Sequence, residues 1–432
     1  MIKTRITTFV FSLLFFNLFS QSYTSYFTGD TTDVTTTPLG GICMMGGASE
    51  NDEAMKWFLE RSNGGDILVM RASGSDGYNN YLFSELGITV NSVETIVFDN
   101  IQATSEDYVI TQIQNAEAIW FAGGDQWDYV SYWRGNQISE VINQNIQNKN
   151  IVIGGTSAGM AILGGIYFTA EFGTIHSNTA LENPFNDNLT ISNEAFITLP
   201  FLNNTITDTH YDSPDRKGRH LTFLARAMKD WNVDAKGIAC DEYTSVCIDT
   251  NGKAYVYGSY PTFDDNAYFL QVNCTLPNVP EKCEMGEPLN WVRNNAAVKV
   301  YRIKGESTGN KYLDLNNWEE GDGGIWENWY VENGVLTTEI GEAINCSATS
   351  VSQIDESNLS LYPNPISDGF LTIENSTSLI QKIEILDATG KVIFSKKIKQ
   401  YNYNIDFSDY SKGIFFVKIW IDNLFYTKKI IW

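Results

Sequence analysis

Histidine is scarce in this chain: 432 residues contain three, His176, His210 and His220. A His-rich metal site is thereby disfavoured, and chemistry that needs an imidazole has three candidates to choose from. Positive charge is also in short supply. Lysine and arginine total 29 against 52 acidic residues, a formal net charge of −23, which argues against nucleic acid or anionic membrane surfaces as partners. After residue 19 no apolar run approaches the length of a membrane helix, so no stable membrane span is expected. The six cysteines have no zinc-like spacing, and no metal or organic cofactor is expected.

The one apolar run stands at the amino terminus. Lys3 and Arg5 precede Phe9–Phe19, and Ser20 offers a small residue for cleavage, which together read as a signal peptide over 1–20. Export permits disulfides; Cys274 and Cys283 flank a Pro-containing loop and are the expected pair, and Cys240–Cys247 would staple a hairpin. Residues 21–36, rich in Ser and Thr, read as a linker.

From 37 to 305, short β-branched and apolar runs alternate with amphipathic segments. Strands are expected near 40–45, 67–70, 94–98, 118–122 and 151–153, with Ser49 capping a helix over 52–60 and a further helix over 138–147. This alternation predicts an α/β fold with a doubly wound, mostly parallel sheet. In such sheets, sites gather at the carboxyl ends of the strands. That rule sets Gly46–Gly47, the Ala72–Gly77 loop, Gly123–Gln126 and Ser157 along one rim. Gly155-Thr-Ser-Ala-Gly159 fits the G-x-S-x-G turn that projects a nucleophilic serine, or else a Gly-rich turn that only packs a helix on a sheet; four polar loops on one rim favour the nucleophile.

A serine nucleophile needs a base, and the base needs an orienting carboxylate. His176 lies in the polar, irregular stretch 168–193, and His220 opens a helix. His210 follows an apolar strand in Asp208-Thr-His210 and is the preferred base. The clearest strand-borne acids, Asp241 and Glu242, come after it. The order Ser–His–acid departs from the Ser–acid–His order of α/β-hydrolases and calls for another doubly wound fold.

Gly123-Gly-Asp-Gln126, Gly155-Thr-Ser-Ala-Gly-Met160, Asp208-Thr-His-Tyr211, Arg216-Lys-Gly-Arg219 and Gly237-Ile-Ala-Cys-Asp-Glu242 together resemble the cyanophycinases, serine peptidases of family S51 related to peptidase E with a class I glutamine amidotransferase-like sheet. The resemblance covers roughly residues 38–305. It implies Ser157 as nucleophile, His210 as general base and Glu242 as orienting acid. It also implies Gly124 and Ala158 amides as an oxyanion hole, and Gln126, Asp208, Arg216 and Arg219 around the substrate. Guanidinium forks suit aspartyl carboxylates, and a Gln amide both donates to and accepts from a peptide backbone. The implied substrate is cyanophycin, a poly-aspartate bearing arginine on its β-carboxyls, released as β-Asp-Arg dipeptides. Thr209 and Tyr211 depart from the family's usual Asp-Gln-His-Phe, and Pro214 stands where an arginine is often found. These departures leave open another aspartyl or isoaspartyl peptide; a non-catalytic surface-binding protein is a separate alternative, against which the intact Ser157, His210 and Glu242 set speaks.

Residues 306–345, with Trp318, Trp326 and Trp329, read as an extension of unknown role, and 346–357 as a second linker. Short, evenly spaced strands over 358–432 predict a small β-sandwich. Leu361-Tyr-Pro-Asn-Pro365, Asp387-Ala-Thr-Gly-Lys391, Ser411-Lys-Gly-Ile-Phe415 and Lys428-Lys429 resemble the type A sorting domain of type IX secretion. The resemblance implies contact with that secretion machinery and release outside the cell or display on its surface. The oligomeric state, a homodimer included, stays open.

Overall fold

The computed structural model describes residues 21–346, 359–376, 378–421 and 424–432. The expected signal peptide (1–20) and all but Cys346 of the expected linker (346–357) lie outside the described residues. The chain divides into two compact units, 1–346 and 347–432.

In the first unit the chain runs β1 (Tyr23–Gly29), β2 (Gly41–Met45), α1 (Asp52–Glu60), β3 (Asp66–Arg71), α2 (Gly77–Asn80), β4 (Ser92–Phe98), α3 (Asp107–Asn115), β5 (Ala118–Phe121), α4 (Gln126–Trp133), α5 (Gln137–Lys149) and β6 (Val152–Thr156). The short α6 (Ala158–Ala161), β7 (Tyr167–Phe168), α7 (Ser177–Glu182) and β8 (Ile191–Ser192) follow. Next come β9 (Thr205–Asp208), α8 (Lys217–Trp231), β10 (Lys236–Cys240), β11 (Ser245–Ile248), β12 (Lys253–Tyr257), β13 (Asn266–Val272) and β14 (Val298–Lys304). The unit closes with β15 (Tyr312–Asp314), β16 (Gly321–Asp322), β17 (Gly324–Glu332) and β18 (Val335–Ile340).

Ten of these strands form one mixed sheet, in the order β1-β4-β3-β5-β6-β2-β11-β12-β15-β16. Its centre, β4 to β2, is parallel. Alternate residues of the central strands enter two separate cores. Met44, Leu68, Met70, Ile119 and Ile153 pack with α3, α4 and α5, while Cys43, Met45, Ile67, Val69, Trp120 and Val152 pack with α1. Burial on both faces is why these strands read as continuous apolar runs.

Residues 21–36, expected as a linker, instead contain the edge strand β1, paired antiparallel with β4 over seven residues. Its aromatic and β-branched content, with Tyr23 packed against the core, favours a strand over a Ser/Thr-rich tether. Asn51, not Ser49, caps α1: its side chain accepts from the amide of Ala54.

A second sheet takes the order β18-β17-β14-β13-β10-β9. Only β9 and β10 run parallel, joined by the crossover helix α8. One face of this sheet (Ile238, Cys240, Phe269) shares the α3–α5 core, and the other (Ala239, Leu270, Val298) packs with α8. Between β10 and β11 the backbone crosses from the second sheet to the first. The region 306–345 supplies edge strands to both sheets, β15–β16 to one and β17–β18 to the other.

The disulfide joins Cys274 to Cys346, which corrects the expected Cys274–Cys283 pair. Cys283 is buried in the core beside α8, and Cys240 and Cys247 are free and buried. The last two cannot staple a hairpin because they sit in strands of different sheets, β10 and β11.

The second unit holds β19 (Leu359–Tyr362), β20 (Phe370–Asn375), β21 (Ile380–Leu386), β22 (Val392–Gln400), β23 (Asn402–Asp406), β24 (Ile414–Ile421) and β25 (Leu424–Ile431). A three-stranded sheet, β19-β20-β23, and a four-stranded one, β22-β21-β24-β25, enclose one apolar core that includes Leu371, Ile385, Ile405 and Val417.

Candidate active site

Ser157 sits between β6 and α6 with φ +53° and ψ −119°, a conformation that a non-glycine residue keeps only when its surroundings impose it. The neighbouring glycines impose it here. A Cβ on Gly159 would collide with the carbonyl of Phe121, and one on Gly155 would come within 2.6 Å of Gly159. The Ser157 amide is tied to Met45 O at 3.1 Å, and its carbonyl accepts from Ala161 at 2.9 Å. Those contacts hold the turn sharp and leave the hydroxyl facing outward.

His210 follows the end of β9 and also has a left-handed backbone, φ +45°. Its amide donates to Gly46 O at 2.8 Å, and its ring lies over Gly47, where any Cβ would overlap the imidazole. Ser157 Oγ is 2.8 Å from His210 Nε2, and His210 Nδ1 is 2.6 Å from Glu242 Oε1. A carboxylate can only accept, so Nδ1 carries the proton and Nε2 presents its lone pair to the serine hydroxyl. The ring and the acid are each about a quarter exposed, 24% and 25%, within reach of a substrate yet partly shielded from water.

The three side chains do not come from one sheet. Ser157 follows β6 of the ten-stranded sheet, whereas His210 and Glu242 follow β9 and β10 of the six-stranded one. The acid therefore lies beyond its strand, in the crossing between sheets, and is not strand-borne as the sequence suggested. Asp212 Oδ1 fixes the crossing by accepting from the Glu242 amide at 3.0 Å. Gly46 and Gly47 were on the expected rim, but nothing in the sequence marks Asp212 for this task.

Asp208 and Arg219 are nearly inaccessible, 2% and 4% exposed, and close a two-point ion pair: Nε to Oδ2 at 2.9 Å and Nη2 to Oδ1 at 2.5 Å. Burial works against ionisation of Asp208, but the Arg219 charge and hydrogen bonds prevail and hold its carboxyl below the ordinary range. Arg219 Nη1 also donates to Thr174 Oγ1 and Ile175 O, each at 3.2 Å. Both residues thus face each other rather than open space. Arg216 differs. It is half-buried, and its Nη1 donates to Thr209 O at 3.0 Å. Burial, then the nearby Arg219 charge, depress its pKa against the opposing charges of Asp208, Glu242 and Asp212. The amide group of Gln126 donates to Phe168 O, tying α4 to β7. Gly123 packs beside the serine, where a Cβ would stand 3.6 Å from that of Ser157, and the exposed Gly124 follows it.

His176 precedes α7 and is not among the partners of Ser157. His220 is fully buried in α8, hydrogen-bonded to Tyr211 and Ile206. Among the described residues no group of His, Cys, Asp and Glu is arranged to hold a metal ion, and no helix is long and apolar enough to cross a membrane.

Residues 51–253 match the family model described as peptidase family S51, and residues 360–432 match the secretion system C-terminal sorting domain. A cyanophycinase of Geminocystis herdmanii is 27% identical over 163 residues, 38% of this chain and 53% of the relative. A cyanophycinase of Trichormus variabilis is 23% identical over 177 residues, 41% and 53%. The chain therefore spans about half the length of these curated relatives. Among solved structures, a peptidase from an acI-B1 actinobacterium aligns over 52% of this chain and 89% of its own, at 16% identity and TM-score 0.39. A peptidase E-like protein of Listeria monocytogenes aligns over 51% and 98%, at 11% and 0.33.

Proposed function

We propose that this chain, an exported peptidase with a family S51 region and a C-terminal sorting domain, is a serine exopeptidase that hydrolyses cyanophycin to β-Asp-Arg dipeptides. The observation that carries the reading is the unbroken row Ser157–His210–Glu242, with hydrogen-bond distances of 2.8 and 2.6 Å. Ser157 Oγ attacks a backbone carbonyl while His210 Nε2 takes its proton, and Glu242 stabilises the imidazolium that forms. The amides of Gly124 and Ala158 receive the oxyanion, where fixed donors lower the barrier most. His210 then protonates the leaving amine, and water, deprotonated by the same ring, releases the acyl product. Arg216 recognises an aspartyl carboxylate, and Gln126 holds the peptide backbone through its carbonyl oxygen.

A second substrate reading has its own support. Asp208 and Arg219, both implied as substrate groups, are occupied with each other, which leaves Arg216 as the cation with guanidinium N–H groups to offer. A site with one such cation suits a smaller aspartyl or isoaspartyl peptide.

The full chain and its Ser157→Ala variant, each incubated with insoluble cyanophycin while dipeptide release is followed, test the proposal. Release by the parent alone is expected. Release by both would remove Ser157 from the mechanism, and release by neither would favour the second substrate or a non-catalytic surface-binding protein.

A further inference from the structure

Two consecutive residues in the first turn of α8 touch the chain on opposite sides of His210. Arg219 grips Asp208, two residues before it, through both carboxylate oxygens. His220 meets Tyr211, the residue after it: Nδ1 lies 3.2 Å from the tyrosine hydroxyl, and Nε2 lies 3.2 Å from Ile206 O in β9. The protons in this second contact can be assigned. A backbone carbonyl only accepts, so Nε2 carries hydrogen; burial, outweighing the nearby Asp208, lowers the His220 pKa to about 4 and keeps the ring neutral. Nδ1 is then a bare acceptor, and the Tyr211 hydroxyl must be the donor. Helix and strand approach closely enough for this because residue 237 is glycine, where a Cβ would stand 2.5 Å from Nε2.

Tyr211 is itself fully buried. Its ring stacks on Trp329, its amide donates to Cys240 O at 3.2 Å, and its carbonyl accepts from the Arg216 amide at 3.0 Å. Between Asp208 and Tyr211 the backbone must hold His210 at φ +45°, a conformation that relaxes unless both flanks are fixed. Arg219 fixes one flank. Tyr211 stands where the family motif usually has Phe, and its added hydroxyl is the atom that His220 holds.

We infer that His220 is a positioning residue: through the Tyr211 hydroxyl it anchors the backbone immediately after His210 and so keeps the imidazole in line between Ser157 and Glu242. This rests on the serine-peptidase reading for its catalytic consequence, though not for its geometry.

The test uses the full chain with ¹⁵N-labelled histidine, in which three residues make the spectrum assignable. Tyr211→Phe, His220→Leu and the double variant are compared by three measurements: the downfield proton on His210 Nδ1, the rate at which a fluorophosphonate labels Ser157, and the thermal midpoint. Tyr211→Phe keeps the buried ring, so folding is retained. Each single variant is expected to shift the His210 proton and slow labelling roughly tenfold, since small displacements of a reacting group are costly. The double variant is expected to be no slower than the slower single, because both changes cut one path. An unmoved His210 proton and unchanged labelling in Tyr211→Phe, with only a lower thermal midpoint, would reduce the contact to ordinary packing and overturn the inference. A parent chain that shows the His210–Glu242 proton but resists labelling altogether would defeat the hydrolase reading instead, while a shifted proton in Tyr211→Phe would still uphold the clamp.

Discussion

Residues 1–358 contain 20 basic and 45 acidic side chains, whereas 359–432 contain nine and seven, and the contrast extends inward. The larger unit buries Asp208, Arg219, His220 and Asp241 and holds Ser157 and His210 in left-handed backbone conformations. Among the described residues, the smaller unit buries a single polar side chain, Asn375, and no non-glycine residue in it has positive φ. Its strands alternate plainly, as in β24, where Phe415, Val417, Ile419 and Ile421 face the core. Its two outer strands, β22 and β25, carry Lys396, Lys397, Lys399, Lys428 and Lys429, which discourage edge-to-edge pairing. Chemistry needs buried charge and strained backbone, which other interactions must offset. A sorting domain needs only a core and a surface, and the family match of residues 360–432 makes export to the cell surface or beyond the destination of the whole chain.

The contrast can be broken from either side. The largest effect is expected for Arg219→Met, which leaves Asp208 buried without a counter-charge. A loss of about 3–5 kcal/mol from the larger unit should follow, read as an earlier denaturant transition while that of the smaller unit stays fixed. Next is Gly47→Ala, which pushes the imidazole off the serine. Fluorophosphonate labelling of Ser157 should slow about 100-fold, and an unchanged rate would mean that Gly47 does not seat the ring. Ile385→Val in the smaller unit should cost about 1 kcal/mol and move only that unit's transition; altered labelling of Ser157 would mean that the two units are not energetically separate.

A fourth expected effect is one of pH. Burial, aided by the nearby Asp212, raises the Asp241 pKa to about 7, and its Oδ1 has no partner among the described residues. Asn266 and Tyr268 contact its other oxygen, with Lys217 a weaker opposing charge. Between its unfolded pKa of about 4 and 7 the folded state binds more protons than the unfolded one, so stability falls as pH rises through that window. Asp241→Asn should flatten this slope in urea titrations at pH 5 and pH 8. An equally steep slope in the variant would assign the pH dependence to other groups.

Much of this contrast can be read in the amino-acid order. The apolar runs of β2 to β6 announce a covered sheet, Gly155 and Gly159 announce the turn at Ser157, and the scarcity of histidine leaves few candidates for the imidazole that stands 2.8 Å from Ser157 Oγ, that of His210. Other features escape for physical reasons. The second sheet is hidden because β9 and β10 are as buried as the central strands of the first, and periodicity does not say which neighbours a strand chooses. The Asp208–Arg219 pair joins residues that sequence reasoning assigns to a substrate, since a buried pair and an exposed pocket use the same side chains. The Cys274–Cys346 bond spans 72 residues, and loop spacing alone favours the nearer Cys283.

That bond has a mechanical consequence. Cys346 is the last residue of the larger unit, and the covalent link returns from it to Cys274, just past β13. Strands β14 to β18 lie inside the closed loop. Tension applied through residue 347, whether from a surface tether or from the export apparatus, passes across the sulfurs to the end of β13 and bypasses the edge hairpin β17–β18. The strands that would otherwise peel away first from the second sheet carry no load, and the sheet that holds His210 and Glu242 is guarded against being unzipped from its free edge.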